Sequence, residues 1–558
     1  MKIFLAQQNY HIGNFEYNTN KIIEAIEVAK KQNGDLIVFS ELCICGYPPR
    51  DFVEFTDFIE QGFAAIEKIR LVADTIGVLV GCPSRNPKVE GKDLFNSAFL
   101  LYENEIKGVA HKTLLPTYDI FDEYRYFEPA YEWNILEFKG LKLAVTICED
   151  IWNLGDHPQY RICPMDKLCG QNPDLMINLS ASPFDYIHAT ERKSILKRNV
   201  AKYGIPMIYC NTTGAQTDIV FDGGSLVMDV DGNIIKELPY FREDLQEVNY
   251  TCNGLFKEPV LIHVKEIPFT QIIPENFDAT KGTEIIYNAL ISGIQDYFSK
   301  MGFTKAIVAS SGGIDSAVVL ALASKALGSE NVNALLLPSQ FSTDHSVADA
   351  IELSKNLGNR YDIIPIKDIF NQFDLSLQNV FHSLPFNVAE ENLQSRIRGA
   401  LVMAMANKFG FILLNTSNKS ELACGYGTLY GDMAGGLGVI GDLYKLQVYA
   451  IAKYINKDKE IIPNNIITKA PSAELRPNQK DSDSLPEYDI LDPILYQYIE
   501  RRQGAREIVN KGNDPALVAR ILKLVNTNEY KRNQFCPIIR VSPKAFGLGR
   551  RMPIVGKY

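Results

Sequence analysis

From Thr283 onward, apolar runs of strand length alternate with stretches of helix length, and that rhythm leaves few folds open. The runs Ala306–Ala309, Val332–Leu337, Tyr361–Ile366 and Phe411–Leu414 are each separated by enough chain for a helix. Strands joined in this way can pair in parallel through crossovers, which predicts a doubly wound parallel sheet with helices on both faces. The segment Ala470–Asp492 breaks the rhythm: it is polar and interrupted by proline, and reads as a long loop, either a lid or disordered.

The first half is also α/β but less regular. Asn20–Gln32 sets Ile22, Ile23, Ile26 and Ala29 on one helical face, with Asn33-Gly34 as the stop. Strand-like runs follow at Asp35–Ser40, Val78–Gly81, Ala98–Tyr102, Ile106–Ala110, Leu141–Ile147, Leu175–Leu179 and Met207–Asn211. Glu103-Asn104 between two of these runs reads as a hairpin turn, so the half is not a pure βαβ series. Periodicity fades after about residue 252, and Pro259, Pro268 and Pro274 mark a connector. The expected division is therefore 1–255, a connector at 256–280, and 281–558. For 558 residues, two large units agree with a prior of ~150 residues per domain only if each exceeds it.

Composition excludes several classes. Hydrophobic residues make up 46% and charged residues 22%, which is globular usage and not that of a disordered chain. The net charge of −10 gives no electrostatic footprint for nucleic acid. Only Ile3 to Ala6 are apolar before Gln7, too few for a secretory signal, and no run approaches the ~18 residues of a membrane span. The ten cysteines include no CxxC pair and the seven histidines no HExxH, so reduced thiols in a cytoplasmic enzyme are expected. No nucleic-acid or membrane partner is expected. Cys43 and Cys45 read as packing residues.

Three polar residues stand just beyond strand-like runs: Glu41 after DLIVFS, Lys112 after Ile106–Ala110, and Cys148 after LKLAVTI. Ends of neighbouring strands converge, which would bring the three into one pocket. Their chemistry is complementary. A thiolate is a strong nucleophile, a glutamate can take the thiol proton and return it to a leaving amine, and a lysine can stabilise an oxyanion. In their segments (SELCICGYPPRD, HKTLLPTYDIFDEYRYF, ICEDIW) the first half resembles the nitrilase, or carbon–nitrogen hydrolase, superfamily. That resemblance implies an αββα sandwich and a Glu41-Lys112-Cys148 triad cleaving an amide through a thioester. It further implies a glutaminase whose substrate pocket includes Tyr118 and Ser182, with Glu123 supporting the lysine. His188, six residues after Ser182 where relatives usually carry Lys or Arg for the glutamine carboxylate, is expected to complete that pocket.

In the second half, Ser311-Gly312-Gly313-Ile314-Asp315-Ser316 lies between the strand AIVAS and the helix AVVLALASKAL. Glycines let backbone approach a ligand, and N–H groups at a helix start cradle anionic oxygens. The lysine of a Walker A loop is absent. SGGIDS resembles the PP-loop of ATP pyrophosphatases, which implies an adenine nucleotide α-hydrolase-like domain forming AMP. Gly436–Gly441 matches GxGxxG by letters, but turn-rich sequence precedes it, so a dinucleotide fingerprint is rejected.

PP-loops serve several families. The stretches ENLQSRIRG (391–399), NTSNKSE (415–421), YGDMAGG (430–436) and PSAEL (471–475) are similar to NAD synthetases, and with the first half the chain resembles the glutamine-dependent NAD synthetase family over nearly its whole length. The resemblance implies that Ala309, Ser310, Ser311, Gly312, Gly313, Ile314, Asp315, Ser316 and Thr416 bind ATP. It implies that Asn392, Glu421 and Lys531 bind deamido-NAD, that Asp315 and Glu421 hold Mg²⁺, and that Lys445 reaches phosphate. Arg396 and Arg398, two apart on a helix, cannot face the same way, so at most one is expected on substrate. A homo-oligomer acting on glutamine, ATP and deamido-NAD is expected. The alternatives are another glutamine-fed PP-loop amidotransferase, a tRNA-directed PP-loop protein, or a sensor that binds glutamine and ATP without catalysis.

Overall fold

The computed structural model describes residues 1–154, 159–251, 273–382, 384–477 and 479–556. They fall into two compact units: Met1–Phe184 with His188–Ile272, and Ile273–Tyr558 with the tripeptide Asp185–Ile187. The greater part of the expected connector, up to residue 272, lies outside the described residues.

The first unit begins with β1 (Lys2–Gln7), β2 (Leu36–Val38), β3 (Gly77–Arg85), β4 (Leu94–Tyr102) and β5 (Glu105–His111). There follow β6 (Leu136–Phe138), β7 (Leu141–Ile147), β8 (Leu175–Ser180), β9 (Met207–Asn211), the hairpin β10 (Thr213–Gln216) and β11 (Ile219–Asp222), then β12 (Leu226–Met228), β13 (Ile234–Glu237) and β14 (Asp244–Asn249). Two six-stranded sheets result, in the orders β14-β1-β2-β3-β4-β5 and β13-β12-β9-β8-β7-β6. Its longer helices are α1 (Phe15–Lys31), α2 (Thr56–Arg70) and α4 (His188–Tyr203), with the short α3 (Pro164–Cys169).

The period-2 alternation of the strands fixes the layers. Ile3, Leu5, Leu36, Val38 and Leu79 pack against Val145, Ile147, Ile177 and Leu179 of the second sheet. Their neighbours Phe4, Ala6, Ile37, Val78 and Val80 face Ile22, Ile26, Ile66 and Ile69 of α1 and α2. On the far side Ala144, Met176 and Met207 meet Ile195, Leu196 and Val200 of α4. Helix, sheet, sheet, helix is the αββα order implied by the resemblance. Each fully buried Ile or Leu contributes roughly 1.5–3 kcal/mol.

Boundaries shift where side chains act locally. Helix α1 starts at Phe15, earlier than the expected Asn20, because the Asn14 side chain accepts a hydrogen bond from the Tyr17 N–H and caps it. Glu103 and Asn104 adopt φ of 52° and 57°, which is the left-handed turn a tight hairpin needs. The short β1, β6 and β10–β14 are absent from the sequence-based expectation.

The second unit runs α5 (Thr283–Met301), β15 (Ala306–Ala309), α6 (Ile314–Leu327), β16 (Val332–Leu336), α7 (Asp344–Leu357), β17 (Arg360–Ile363), α8 (Lys367–Phe381), α9 (Val388–Phe409) and β18 (Ile412–Asn415). Then come α10 (Lys419–Cys424), β19 (Leu437–Gly438), α11 (Lys445–Ile455), α12 (Asn464–Thr468) and α13 (Tyr488–Ile499). The sheet order is β17-β16-β15-β18-β19 and every pairing is parallel. The order reverses between β15 and β18, and the crevice at such a switch point is where doubly wound sheets bind ligands.

One sequence-based expectation is corrected by the structure, and the rejection of the GxGxxG match agrees with it. Of the expected loop 470–492, the last part is helix: Asp481–Asp483 forms a 3₁₀ turn and α13 starts at Tyr488 and runs through Pro493. Burial of Leu491, Ile494, Leu495, Tyr496 and Ile499 outweighs the hydrogen bond that Pro493 cannot make. The GxGxxG residues Leu437 and Gly438 form the edge strand β19, and no helix opens until Lys445. Among the described residues no helix is long and apolar enough to cross a membrane.

Candidate functional site

In the first unit Glu41, Lys112 and Cys148 do meet, but not from neighbouring strands as expected. Glu41 follows β2 and Lys112 follows β5, with β3 and β4 between these strands, and Cys148 follows β7 of the other sheet. Face-to-face stacking, rather than adjacency in one sheet, gathers them. Lys112 Nζ donates to Glu41 Oε1 at 2.7 Å and to Glu123 Oε1 at 2.8 Å. All four residues are buried. Burial alone would depress Lys112, but Glu123 and Glu41 outweigh it and hold the ammonium charged. Among the described residues two of its three donors are engaged, leaving one.

Cys148 sits at φ 42° at the start of the 3₁₀ turn Cys148–Ile151, a left-handed conformation that a non-glycine residue adopts only under strain. Burial raises its thiol well above the ordinary value, Glu41 adds to this, and Lys112 opposes it. The resting group is therefore the thiol, and attack needs a base beside it. Burial also pushes Glu123 up to about 7, against the pull of Lys112.

Residues that sequence reasoning missed complete the array. Asn96 Nδ2 donates to Glu41 Oε1 at 2.7 Å, and the Ala181 N–H donates to Glu41 Oε2 at 3.0 Å. Tyr47 OH donates to Glu123 Oε1 at 2.8 Å. Asp150 accepts the N–H groups of Thr113 and Leu114 at 2.9 and 2.8 Å, fixing the chain just after Lys112. Glu149 is held by Tyr118 OH at 2.9 Å and Tyr160 OH at 3.1 Å, and burial pushes it up to about 7. Position alone signals Glu149 and Asp150, which directly follow the cysteine; nothing in the sequence singles out Asn96 or Tyr47.

Ser182 Oγ and His188 Nε2 lie 2.7 Å apart, and the His188 ring stacks on Trp152 with centroids 5.1 Å apart. The Tyr118 hydroxyl is bonded to Glu149, so the expected trio of Tyr118, Ser182 and His188 includes one member already tied to a carboxylate. Cys43 and Cys45 are buried, as a packing role requires.

In the second unit a cavity of 540 Å³ opens at the switch point. Ala309, Ser310, Ser311, Gly313, Ile314, Asp315, Ser316 and Thr416 line it, together with Glu421 and Lys445. Gly312 does not line it. Its φ is 77°, and a Cβ there would lie 2.1 Å from the Ser346 carbonyl oxygen, so the position admits only glycine for reasons of packing and turn geometry. Ser316 Oγ donates to the Gly313 carbonyl at 3.0 Å, and the Gly313 N–H donates to Ser311 Oγ at 3.2 Å, which shapes the loop before α6 begins. Arg398 lines the cavity and Arg396 does not, as their spacing on α9 requires. Burial lowers Arg398 to about 10.

Asn392 and Lys531 are not among the lining residues. Lys531 Nζ donates to the carbonyls of Gly425 and Gly427, both at 2.8 Å, and Asn392 Oδ1 accepts from Thr428 Oγ1 at 2.7 Å. Both residues hold the turn that follows α10 and lie outside the lining of this cavity.

Asp315 Oδ2 accepts from Lys445 Nζ, and Asp315 Oδ1 from Asn418 Nδ2 at 2.9 Å. Asn418 also caps α10 by accepting the Glu421 N–H at 2.9 Å. Burial raises Glu421 well above the usual carboxyl range, Asp315 raises it further, and Lys445 opposes both. A buried carboxyl held up by a carboxylate neighbour is relieved by a cation, and two such oxygen donors at the mouth of a helix-start loop fit Mg²⁺. Among the described residues no cluster of three or more potential ligands forms an all-protein metal cage. Glu474, in the PSAEL segment, accepts hydrogen bonds from Thr343 Oγ1 at 2.9 Å and Ser346 Oγ at 2.6 Å beside the cavity.

The carbon–nitrogen hydrolase family model matches residues 2–252 and the NAD synthase model residues 286–535. The chain is 43% identical to the glutamine-dependent NAD(+) synthetase of Synechocystis sp., covering 99% of this chain and 98% of that one. It is 39% identical to the enzyme of the same name from Thermotoga maritima, over 100% and 99%. Among solved structures, the glutamine-dependent NAD+ synthetase of Acinetobacter baumannii in complex with ADP aligns with a TM-score of 0.76 at 37% identity, covering 99% of this chain and 98% of that chain. That of Cytophaga hutchinsonii aligns at 0.81 with 19% identity over 100% and 98%, a likeness of fold.

Proposed function

Since the chain belongs to the family of glutamine-dependent NAD(+) synthetases, we propose that its two sites divide that reaction between the Cys148 pocket and the SGGIDS cavity. The observation that carries the reading is the charged Lys112 ammonium bridging two buried carboxylates beside a strained thiol.

At the first site Glu41 takes the Cys148 proton as sulfur attacks the glutamine carboxamide carbon. The remaining Lys112 donor and the Glu149 N–H stabilise the oxyanion. The C–N bond breaks, ammonia leaves with the proton from Glu41, and water activated by Glu41 hydrolyses the thioester to glutamate. Tyr118, Ser182 and His188 line the glutamine pocket. Glu149, a buried carboxylate beside the nucleophile, suits the substrate ammonium group.

At the second site the residues 309–316 and Thr416 receive ATP, and Arg398 and Lys445 offset its charge. The nicotinate carboxylate of deamido-NAD attacks the α-phosphorus, pyrophosphate leaves, and ammonia displaces AMP from the acyl adenylate to form the amide of NAD. Asp315 and Glu421 would hold Mg²⁺, which neutralises phosphate charge when bound. Asn392 and Lys531 act by shaping the 425–428 turn toward deamido-NAD. A homo-oligomer in the cytoplasm is the working form on this reading; the nine cysteines of the described residues are all free thiols, which suits a reducing compartment.

Product analysis tests the reading. Incubation with glutamine, ATP, Mg²⁺ and deamido-NAD is expected to give NAD, AMP, pyrophosphate and glutamate in equal amounts. ADP and phosphate in place of AMP and pyrophosphate would overturn the PP-loop assignment.

A further inference from the structure

We infer that Asn96 is a positioning residue for Glu41, pinning Oε1 so that Oε2 is the oxygen that exchanges protons with Cys148 and the departing ammonia. The inference rests on the reading of Glu41 as the base.

The four lone-pair positions of the Glu41 carboxylate are unequally used. Oε1 accepts from Asn96 Nδ2 and from Lys112 Nζ, each at 2.7 Å, which fills it. Among the described residues Oε2 accepts one bond, from the Ala181 N–H at 3.0 Å, and keeps one position open. Lys112 alone cannot set this asymmetry, because an ammonium is a point charge with rotatable donors. The Asn96 carboxamide is planar and directional. It is fully buried on β4, and its main-chain carbonyl accepts the Lys112 N–H at 2.8 Å, so one residue registers both base and lysine.

A second observation separates this from ordinary packing. Asn96 Oδ1 is buried and has no hydrogen-bond partner among the described residues. An apolar side chain of similar size would avoid that desolvation cost, so the fold by itself gives no reason for an amide here. The Nδ2 bond to the carboxylate does.

The proton account balances. The thiol proton moves to Oε2 as the S–C bond forms and the carbonyl pair moves to oxygen. The same proton leaves on nitrogen as the C–N bond breaks, which returns Oε2 to its open state. Oε1 stays occupied throughout.

Asn96→Asp keeps the shape and replaces the donor by an acceptor. Asn96→Ala removes both. Glutamine hydrolysis is measured over a range of glutamine concentrations, with turnover expressed per active site titrated by a stoichiometric glutamine-like diazoketone. The expected result is a fall in kcat of about 100-fold in Asn96→Asp and about tenfold in Asn96→Ala. KM stays within about twofold, because Asn96 acts on Glu41 and not on glutamine. Turnover of Asn96→Asp within about threefold of the parent, or a fall in kcat matched by a rise in KM of more than about tenfold, overturns the inference. If Asn96→Asp yields no titratable sites, Asn96→Ala decides by the same two criteria. Glu41→Gln, measured in parallel, separates the premises: a Glu41→Gln enzyme that still turns over removes the reading of the base and this inference with it. An inactive Glu41→Gln beside an active Asn96→Asp removes the inference alone.

Discussion

Glu149 shows how a buried charge is kept beside a nucleophile. Its carboxyl, ordinarily near 4.5, is pushed up to about 7 by burial, although two phenols and Lys112 favour its ionised form. A folded value above the unfolded one means the native protein holds the proton more tightly, so this contribution to stability is full below about pH 4.5 and is lost as pH rises through about 7. At pH 8 the cost is about 3 kcal/mol. Glu149→Gln, whose amide oxygen can still accept from Tyr118 and Tyr160, is therefore expected to melt at a higher temperature than the parent at pH 8 and at the same temperature at pH 4.5. Equal melting at both pH values would contradict the burial argument. In the parent enzyme, kcat/KM for glutamine should fall as pH drops below about 7, as Glu149 loses the charge that receives the substrate ammonium. Glu41, Lys112 and Cys148 were readable as a set because each stands at or within three residues of a strand end and each has a chemistry the others need. Asn96 and Tyr47 were not, because their part is a single hydrogen bond across 55 and 76 residues of chain.

Among the elements, the strand–SGGIDS–helix unit is the most sharply specified. Gly312→Ala would place a Cβ 2.1 Å from a backbone oxygen at φ 77°, so the loop must move or the helix start must. The expected outcome is loss of NAD formation from either nitrogen source by at least about 100-fold, with Cys148 still titrating stoichiometrically with the diazoketone. Retained synthesis would show that the loop does not hold the nucleotide. The long buried strands and the helix rhythm of the second unit were readable from periodicity. The short strands β10–β14 were not, because three to six residues carry too little alternation to stand out. Along the loop, every expected residue but Gly312 lines the cavity. Sequence position does not reveal that the polar atoms of Asn392 and Lys531 also hold the 425–428 turn.

At the scale of the whole molecule, a thiol hydrolase and a nucleotide cavity occupy separate units of one chain. Neither amino-acid composition nor the net charge of −10 says which substrates they serve. The charge does predict that the protein gives no salt-dependent mobility shift with tRNA at physiological ionic strength; a shift would revive a tRNA-directed PP-loop activity. The central claim is that one unit makes ammonia and the other spends it. It is tested most directly by Cys148→Ala, following NAD formation from deamido-NAD, ATP and Mg²⁺ with either glutamine or ammonium as nitrogen source. Synthesis with ammonium and none with glutamine is the predicted result. Undiminished synthesis with glutamine would contradict it.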